Sequence, residues 1–349
     1  HGPATRRSFF EALESALADG GEPLLVYVAA HGDRGELPLD SSVLLWAGDE
    51  LDPVSIAEAL EARTSQRRVR IVMTSCYAGG FAELAFRGAD ETLGPTVADR
   101  CGLFATAWDS EASGCDPSPD RAAHESWARH FLAALEGHDT AGRDRREQID
   151  LDGDGATGLL GAHAFARSAA TSVDLPPTTS TRLLRALVGR DRDGARRAYP
   201  LPEEESVLRA IGTRLGIESE GDVQARLDRL VTRRVELEAA MQARADEGDG
   251  AWFELSGELL SRWPVLDDPF HPDFSRVLET EGDAIARHLE RSPLYLAWLE
   301  AQEDLDAMTD THAALQVEEA PLRRWLEAHE TLDLASRLAA IGGESLARW

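Results

Sequence analysis

Residues 68–84 read RVRIVMTSCYAGGFAEL, and this stretch decides how the first half of the chain folds. The apolar, β-branched run that ends at Cys76 is typical of a strand inside a sheet, and two glycines follow before a helical pattern begins. Packing explains such a pattern, because cysteine is often buried and glycine often connects a strand to a helix. The same pattern would also present a sulfur nucleophile at the edge of a sheet.

A second segment of this kind lies upstream. Residues 24–35 read LLVYVAAHGDRG, so an apolar strand leads directly to His31 and Gly32. Strand-like and helical patterns alternate over the first 190 residues, which predicts a parallel sheet with helices on both faces. The predicted strands are Leu24 to Ala30, Val43 to Trp46, Val69 to Ser75 and Gly102 to Trp108; the predicted helices are Arg6 to Ala18, Pro53 to Arg63, Gly80 to Arg87 and Arg121 to Glu136.

The first of these helices has a start signal and a buried stripe. Thr5 is the expected N-cap, because a threonine hydroxyl can accept a hydrogen bond from an unpaired N–H of the first turn. Phe9, Leu13 and Leu17 recur at helical spacing and are expected to face the core.

The second half of the chain has a different texture. From about Pro200 it is acidic and leucine-spaced, without strand-like runs, which predicts an all-helical region. Charge, glycine and proline cluster in residues 189–205 and indicate a boundary there, so the predicted domains are residues 1–190 and 200–349. Two apolar stripes support the helices: Val223, Leu227, Leu230, Leu237 and Met241, and Leu294, Trp298, Leu305 and Met308.

Charge and composition exclude several classes of partner. The formal net charge of −27 would repel phosphates, so nucleic acid is not an expected partner. The apolar runs are too short to cross a bilayer, no membrane partner is expected, and a cytoplasmic protein is the default expectation. The three cysteines form no CxxC pair, so neither a zinc site nor a disulfide framework is predicted.

Cys76 and His31 fit the requirements of thiol catalysis. Cysteine nucleophiles need a nearby acid or base and N–H donors for the developing oxyanion. The turn after a strand offers free N–H groups, and a helix that starts there favours the thiolate. Neighbouring parallel strands that end at the same edge would bring His31 and Cys76 together, where open α/β sheets bind ligands.

This arrangement resembles the caspase, metacaspase and legumain proteases, which share the caspase–haemoglobinase fold. YVAAHGDRG and IVMTSCYAGGF carry the resemblance, and residues 103–135 look like the legumain-type continuation. The resemblance covers roughly residues 4–185 and is of a bacterial type. It implies an α/β fold, a caspase-like three-layer sandwich with a mostly parallel sheet, here followed by an all-α C-terminal region.

The resemblance also implies a function and a set of roles. The protein would be a cysteine endopeptidase in which Cys76 attacks the scissile carbonyl, His31 protonates the departing amine, and the N–H groups of Gly32 and Cys76 hold the oxyanion. The expected substrates are proteins or peptides, no cofactor or metal is required, and the helical half is expected to bind a regulatory protein or restrain the site. The residues that would line the substrate pocket are Asp109, Ser110, Glu111 and Ser113.

Two departures from the family pattern bear on these expectations. Thr74 stands where caspases have glutamine and metacaspases usually an acid, so neither residue preference is inherited. The family's first strand precedes its first helix, whereas this sequence begins at the helix. We therefore expect the native amino terminus to lie upstream, which an intact-mass measurement would test.

Two other functions fit the same residues. An inactive caspase-like scaffold could recruit partners through its acidic helices, and an acyl transferase or peptide ligase could use the same thiol and imidazole. Neither alternative is decided by the sequence, since residues paired in sequence need not be paired in space.

Residues 150–161, DLDGDGATGLLG, resemble a calcium-binding loop. Asp150, Asp152, Asp154 and Gly155 occupy its first, third, fifth and sixth positions. Gly161 stands at position twelve, where a bidentate glutamate is required, so calcium is not expected to bind tightly. The alternative is a capped turn before the helix that contains His163. Cys101 and Cys115 are expected to be packing residues.

Overall fold

The computed structural model describes residues 2–19, 21–62, 67–114, 125–189 and 194–349. The chain forms two compact units. The first comprises His1–Gln224 and Ala320–Trp349, and the second comprises Ala225–Glu319.

Helices and short strands alternate in the first half of the chain, and helices follow. The strands are β1 Leu24–Val28, β2 Gly32–Asp33, β3 Ser42–Leu44, β4 Glu50–Leu51, β5 Val69–Met73 and β6 Arg100–Phe104. The α-helices are α1 Arg6–Asp19, α2 Pro53–Glu61, α3 Trp127–Leu135, α4 Arg146–Ile149, α5 Leu159–Ala169, α6 Thr179–Val188, α7 Pro202–Leu215, α8 Glu220–Arg262, α9 Phe274–Arg291, α10 Pro293–Ile341 and α11 Gly343–Arg348.

The main sheet is parallel, as predicted, with strand order β1, β5, β6. Val28 pairs with Met73, and Met73 pairs with Phe104, so the three strands run in register to a common edge. The strand predicted at Val43 to Trp46 is β3, which spans only Ser42–Leu44 and lies outside the main sheet. β3 pairs antiparallel with β2 and β4 in a separate small sheet, because the chain reverses between β2 and β3 and again between β3 and β4.

Helices pack on both faces of the main sheet, as expected for apolar strands of a parallel sheet. On one face the side chains of Ile71 and Met73 join a core with residues of α1 and α2. On the other face Val72 and Leu103 pack with Trp127 and further residues of α3 and α5. The mixed α/β class is therefore correct.

The N-terminal helix begins and packs as predicted. The Ser8 N–H donates to Oγ1 of Thr5 at 3.3 Å, which is the cap expected from the sequence. Leu13 and Leu17 are buried in the core, and Phe9 packs against it. This stripe places α1 on the sheet.

Two other predicted helices differ from the structure. The segment predicted as a helix from Gly80 to Arg87 forms a 3₁₀ helix over Ala78–Ala85. The helix predicted from Arg121 starts later, at Trp127, where the Ser126 hydroxyl caps it; Arg121 itself lies outside the described residues.

The second unit consists of long helical segments that run antiparallel. Trp252 lies near Trp298, Arg244 forms an ion pair with Asp304, and Nε2 of His312 lies 2.9 Å from Oε1 of Glu238, so positions advance along α8 as they recede along α10. The stripe residues named above are buried or half-buried. Among the described residues, no helix combines the length and apolarity needed to cross a membrane.

The chain after Pro200 is helical, as its acidic, leucine-spaced sequence predicted. The described elements past Pro200 are α7 to α11 and a 3₁₀ turn at Pro264–Asp267. The compact units divide inside α8 and α10, so the sequence-based domains 1–190 and 200–349 stay a prediction.

Candidate active site

The ends of β1 and β5 place the two predicted catalytic residues at the same edge of the sheet. Beyond the last paired residues, Val28 and Met73, the Thr74 N–H donates to the Val28 carbonyl at 2.9 Å. His31 and Cys76 each follow the paired residue of their strand at the same interval. The two residues therefore follow strand ends that are neighbours in the sheet.

Gly32 lies directly against the backbone of Cys76. A Cβ added to Gly32 would collide with the carbonyl oxygen of Cys76, so no larger residue fits there without a shift of the strands. Close backbone approach is a common reason for glycine beside a site. The role of Gly32 as an oxyanion donor stays a prediction from the resemblance, and the structure adds its contact with Cys76.

The strand pairing also sets the direction of the Gly32 N–H. The Leu44 N–H donates to the His31 carbonyl at 2.8 Å, which makes His31 and Leu44 a hydrogen-bonded pair of the antiparallel ladder. The next pair, Gly32 with Val43, is then of the non-hydrogen-bonded kind. The Gly32 N–H consequently points away from β3. The His31 side chain is exposed.

Cys76 itself is 8% exposed and packs at the edge of the core formed with α3 and α5. Its Sγ accepts a hydrogen bond from the Ala112 N–H at 3.3 Å, and when protonated it donates a longer one, of 3.9 Å, to the Ala112 carbonyl oxygen. A hydrogen bond donated to the sulfur stabilises the thiolate relative to the thiol.

The turn after Cys76 is held between two neighbouring loops. Tyr77 has φ 58° and ψ 13°, a left-handed conformation that costs energy for a residue with a side chain. A Cβ on Gly79 would come within 2.6 Å of the Trp108 nitrogen, and one on Gly80 would collide with the Ser41 hydroxyl. These contacts explain why positions 79 and 80 of the 3₁₀ segment are glycines.

A buried ion pair anchors the same 3₁₀ helix from α6. Nε of Arg182 lies 2.7 Å from Oε1 of Glu83, a carboxylate that is 7% exposed, and a second guanidinium nitrogen reaches Glu91. The Arg182 guanidinium also lies 4.6 Å from the ring centroid of Phe86. Burial opposes the charge, but the hydrogen bonds to Glu83 and Glu91 raise the pKa of Arg182 above its usual value.

The segment predicted to line the substrate pocket lies beside Cys76. The Tyr77 N–H donates to the Ser110 carbonyl at 2.9 Å, and the Tyr77 hydroxyl donates to Oε1 of Glu111 at 3.1 Å. Partial burial, then the bond to Glu111, raises the pKa of the Tyr77 hydroxyl. Asp109 accepts a hydrogen bond from the Ser110 hydroxyl at 3.4 Å. The role of these residues in binding substrate stays a prediction.

Asp174 was not found from the sequence, yet it is joined to this segment. It is 1% exposed, and it accepts hydrogen bonds from the N–H groups of Ser113 and Trp127, each at 2.7 Å. Its main-chain carbonyl accepts a bond from Arg324 at 3.3 Å, and burial lowers the pKa of Arg324 to about 10. The only local signal is a single acidic residue between Val173 and Leu175.

The aspartate loop, residues 150–155 of the segment that resembles a calcium-binding loop, folds as a hydrogen-bonded turn. Side-chain oxygens of Asp150, Asp152 and Asp154 lie within 4.8 Å of one another and could hold a metal ion. The N–H groups of Gly153 and Gly155 donate to the Asp150 carboxylate at 2.8 and 2.9 Å, so the loop itself uses part of that group. At the twelfth position, a Cβ on Gly161 would collide with the carbonyl oxygen of residue 149, which leaves no room for a glutamate.

The other cysteines lie away from this arrangement or outside the description. Cys101 is a half-buried residue of β6, and burial raises the pKa of its thiol. Cys115 lies outside the described residues. His163 is a buried residue of α5 whose ring meets that of Trp127 edge-on at 5.6 Å.

The fold and the site thus define an α/β protein with a cysteine and a histidine at the carboxyl edge of a parallel sheet. No protein-family model matches the chain, and no curated protein shows significant similarity to it.

Proposed function

We propose that the protein is a cysteine endopeptidase of the caspase and legumain type, with the three-layer sandwich of that fold. The observation that carries the proposal is the in-register pairing of β1 and β5, after which Gly32 lies against the Cys76 backbone. In open α/β sheets this edge is where ligands bind, and a peptide amide there would meet both side chains.

The chemistry would proceed in two stages. The Cys76 thiolate attacks the carbonyl carbon of the scissile amide, a C–S bond forms, and the carbonyl electron pair moves to oxygen. The Gly32 N–H, which points away from β3, and the Cys76 N–H would donate to that oxyanion. When the intermediate collapses, the C–N bond breaks and the His31 imidazolium gives its proton to the departing amine.

Hydrolysis of the acyl enzyme completes the cycle. His31, now neutral, takes a proton from a water molecule whose oxygen attacks the thioester carbon. The C–S bond then breaks, the carboxylic acid is released, and the thiolate is restored. If an amine replaces water, the same residues would join two peptides, so ligation is tested by adding an amine and following the products.

The first experiment is labelling by peptidyl electrophiles that carry different residues next to the warhead. The full chain should form a covalent adduct at Cys76, and Cys76→Ala should lose it. Cys101→Ala is the matched control, and it should label like the wild type because burial raises the pKa of the Cys101 thiol and so disfavours its thiolate. An adduct that persists in Cys76→Ala would contradict the assignment of the nucleophile.

Cleavage is the second measurement. A peptide library should be cut by the wild type and left intact by Cys76→Ala and His31→Ala. The cleavage profile would also supply the residue preference that Thr74 leaves open. If Cys76 is labelled but the wild type cuts no peptide of the library, the protein has a reactive thiol and no peptidase activity toward that library.

A scaffold without catalysis is the second candidate, and the 8% exposure of Cys76 favours it. A buried sulfur reacts slowly with large reagents, so a scaffold should react with iodoacetamide but not with peptidyl electrophiles. It should cleave no peptide of the library. Its acidic helices would then be the part that recruits a partner.

A further inference from the structure

Asp174 connects two segments of the chain that meet beside the candidate nucleophile. It lies between α5 and α6, where Oδ1 of its carboxylate accepts the hydrogen bond from the Ser113 N–H. Oδ2 accepts two further bonds, from the Trp127 N–H at 2.7 Å and the Ser172 hydroxyl at 2.8 Å. With 1% exposure, the carboxylate depends on these donors for its solvation.

The residue before Ser113 is the one that touches the sulfur. The Ala112 N–H donates to Sγ of Cys76 at 3.3 Å. Ala112 and Ser113 are consecutive, so fixing the Ser113 N–H restricts the backbone torsions that aim the Ala112 N–H. Loss of that restraint would let the donor swing away from the sulfur.

We propose that Asp174 is a positioning residue that holds the Ala112 N–H on the sulfur of Cys76 and thereby stabilises its thiolate. The inference rests on the proposed function, since that function makes Cys76 the nucleophile. Asp174 itself touches neither the sulfur nor a substrate, and it acts through Ser113 and Ala112.

The sign of the effect separates positioning from simple charge. A negative carboxylate near a thiol disfavours the thiolate, so removing the charge alone would lower the pH at which the thiol ionises. Removing the restraint would raise that pH, because the sulfur loses a hydrogen-bond donor. The two explanations therefore predict opposite shifts.

Several other charged or titratable groups surround these residues. His31 leaves the sheet beside Cys76, while Tyr77 and Glu111 form the hydrogen-bonded pair next to it. Arg324 of α10 reaches the main chain at Asp174 and at Ala170. The test below changes none of these groups.

The test compares Asp174→Asn with the wild type in the full chain. An amide presents one acceptor, and its oxygen should stay with the two donors at Oδ2, so the bond to Ser113 is lost. The rate of iodoacetamide reaction at Cys76 is measured against pH, with peptide mass mapping to separate Cys76 from the other two cysteines. We expect the midpoint of the profile to rise by about 0.5 pH unit or more, and the rate at neutral pH to fall about threefold or more.

Asp139→Asn is the matched control. Asp139 is also buried, at 6% exposure, and also accepts main-chain hydrogen bonds, from Ala141 and Arg143, but it does not contact the segment beside Cys76. Its profile should match the wild type. An unchanged or lowered midpoint in Asp174→Asn, or an equal rise in both variants, would overturn the proposal.

Ser172→Ala is the variant to measure in the same way if Asp174→Asn does not fold. It removes one donor to Asp174 and keeps the charge, so the midpoint should rise in the same direction and the neutral rate should fall about twofold. A profile identical to the wild type would then reject the positioning role. Peptide cleavage is recorded in parallel, with kcat expected to fall more than KM rises.

The alkylation readout separates this inference from the proposed function. A wild type that cleaves no peptide while its Cys76 profile depends on Asp174 would reject the peptidase and keep the positioning role. Cleavage that requires Cys76, together with an alkylation profile indifferent to Asp174, would do the reverse.

Discussion

Gly32 lies so close to Cys76 that a single added carbon would strike the Cys76 carbonyl oxygen. The two residues belong to different strands, and the contact lies just beyond the last in-register pair, Val28 with Met73. It ties the segment that carries the histidine to the backbone of the cysteine. Any enlargement at position 32 should therefore act on the site and on the fold together.

The first prediction concerns Gly32→Ala. The new Cβ must push β2 from the end of β5, and overpacking of this kind costs about 1 to 3 kcal/mol of unfolding free energy. Denaturant unfolding measures the loss, and the iodoacetamide rate at Cys76 should change with it. Gly194→Ala, where nothing lies within 4 Å of the added carbon, should stay within about 0.5 kcal/mol of the wild type. Equal stability of the two variants would refute the contact.

The second prediction concerns the anchor of the 3₁₀ helix. Arg182→Ala leaves Glu83 buried without its main partner, which should cost about 3 kcal/mol of unfolding free energy. Arg185→Ala removes a pair from the same helix, with Glu330, in which both side chains are about half exposed; it should cost less than about 1 kcal/mol. Thermal and denaturant unfolding give both values, and similar losses would contradict the difference in burial.

The third prediction is a loss of stability in acid. Burial, with a smaller contribution from Arg167, holds the pKa of His163 well below its usual 6.5, and neither ring nitrogen has a partner among the described residues. The unfolded chain takes up this proton below about pH 6.5 and the folded chain does not. Above that pH, His163 causes no loss of stability. Below it, the free energy of unfolding falls by about 1.4 kcal/mol per pH unit until the folded pKa is reached.

The variant His163→Phe isolates this contribution. It keeps a ring against Trp127 and removes the proton uptake, so its stability should change less between about pH 7 and pH 5 than that of the wild type. His271→Phe, at an exposed position, should keep the slope of the wild type. A wild-type slope in His163→Phe would show that other groups account for the acid sensitivity.

The fourth prediction concerns calcium at the aspartate loop. With Gly161 at the twelfth position and part of the Asp150 carboxylate engaged by the loop, calorimetric titration should show no binding tighter than about 10⁻⁴ M. Asp152→Asn should leave the result unchanged. Saturable binding in the micromolar range, abolished by Asp152→Asn, would mean that the loop gathers other ligands.

The apolar strands and their ends were predictable because burial imposes a visible pattern. β1 and β5 are continuous apolar runs, and the polar residues that follow them fall at the edge of the sheet. The start of α1 was predictable for a similar reason, since Thr5 combines a capping hydroxyl with the apolar stripe that follows. These features depend on neighbours in sequence.

Features that depend on distant residues were missed. Residues 80–87 were predicted to form an α-helix, but the structure has a 3₁₀ helix over Ala78–Ala85, in which Gly79 and Gly80 lie against Trp108 and Ser41. The strand at Val43 was identified, but its sheet depends on how the chain turns after β1. Asp174 gave little signal, because one acidic residue between two apolar ones is not distinctive and its partners Ser113 and Trp127 lie 61 and 47 residues earlier in the chain.

The position of β1 in the sheet has a consequence for local opening. Among the described strands β5 is bonded on both sides, whereas β1 is bonded to β5 alone, and Leu25 and Tyr27 of β1 are 53% and 44% exposed. Amides of a one-sided strand exchange with solvent through smaller fluctuations than those of a central strand. Within the described residues, the imidazole therefore follows a strand that is hydrogen-bonded on one side and the sulfur a strand that is hydrogen-bonded on two, so hydrogen exchange should be faster along β1 than along β5.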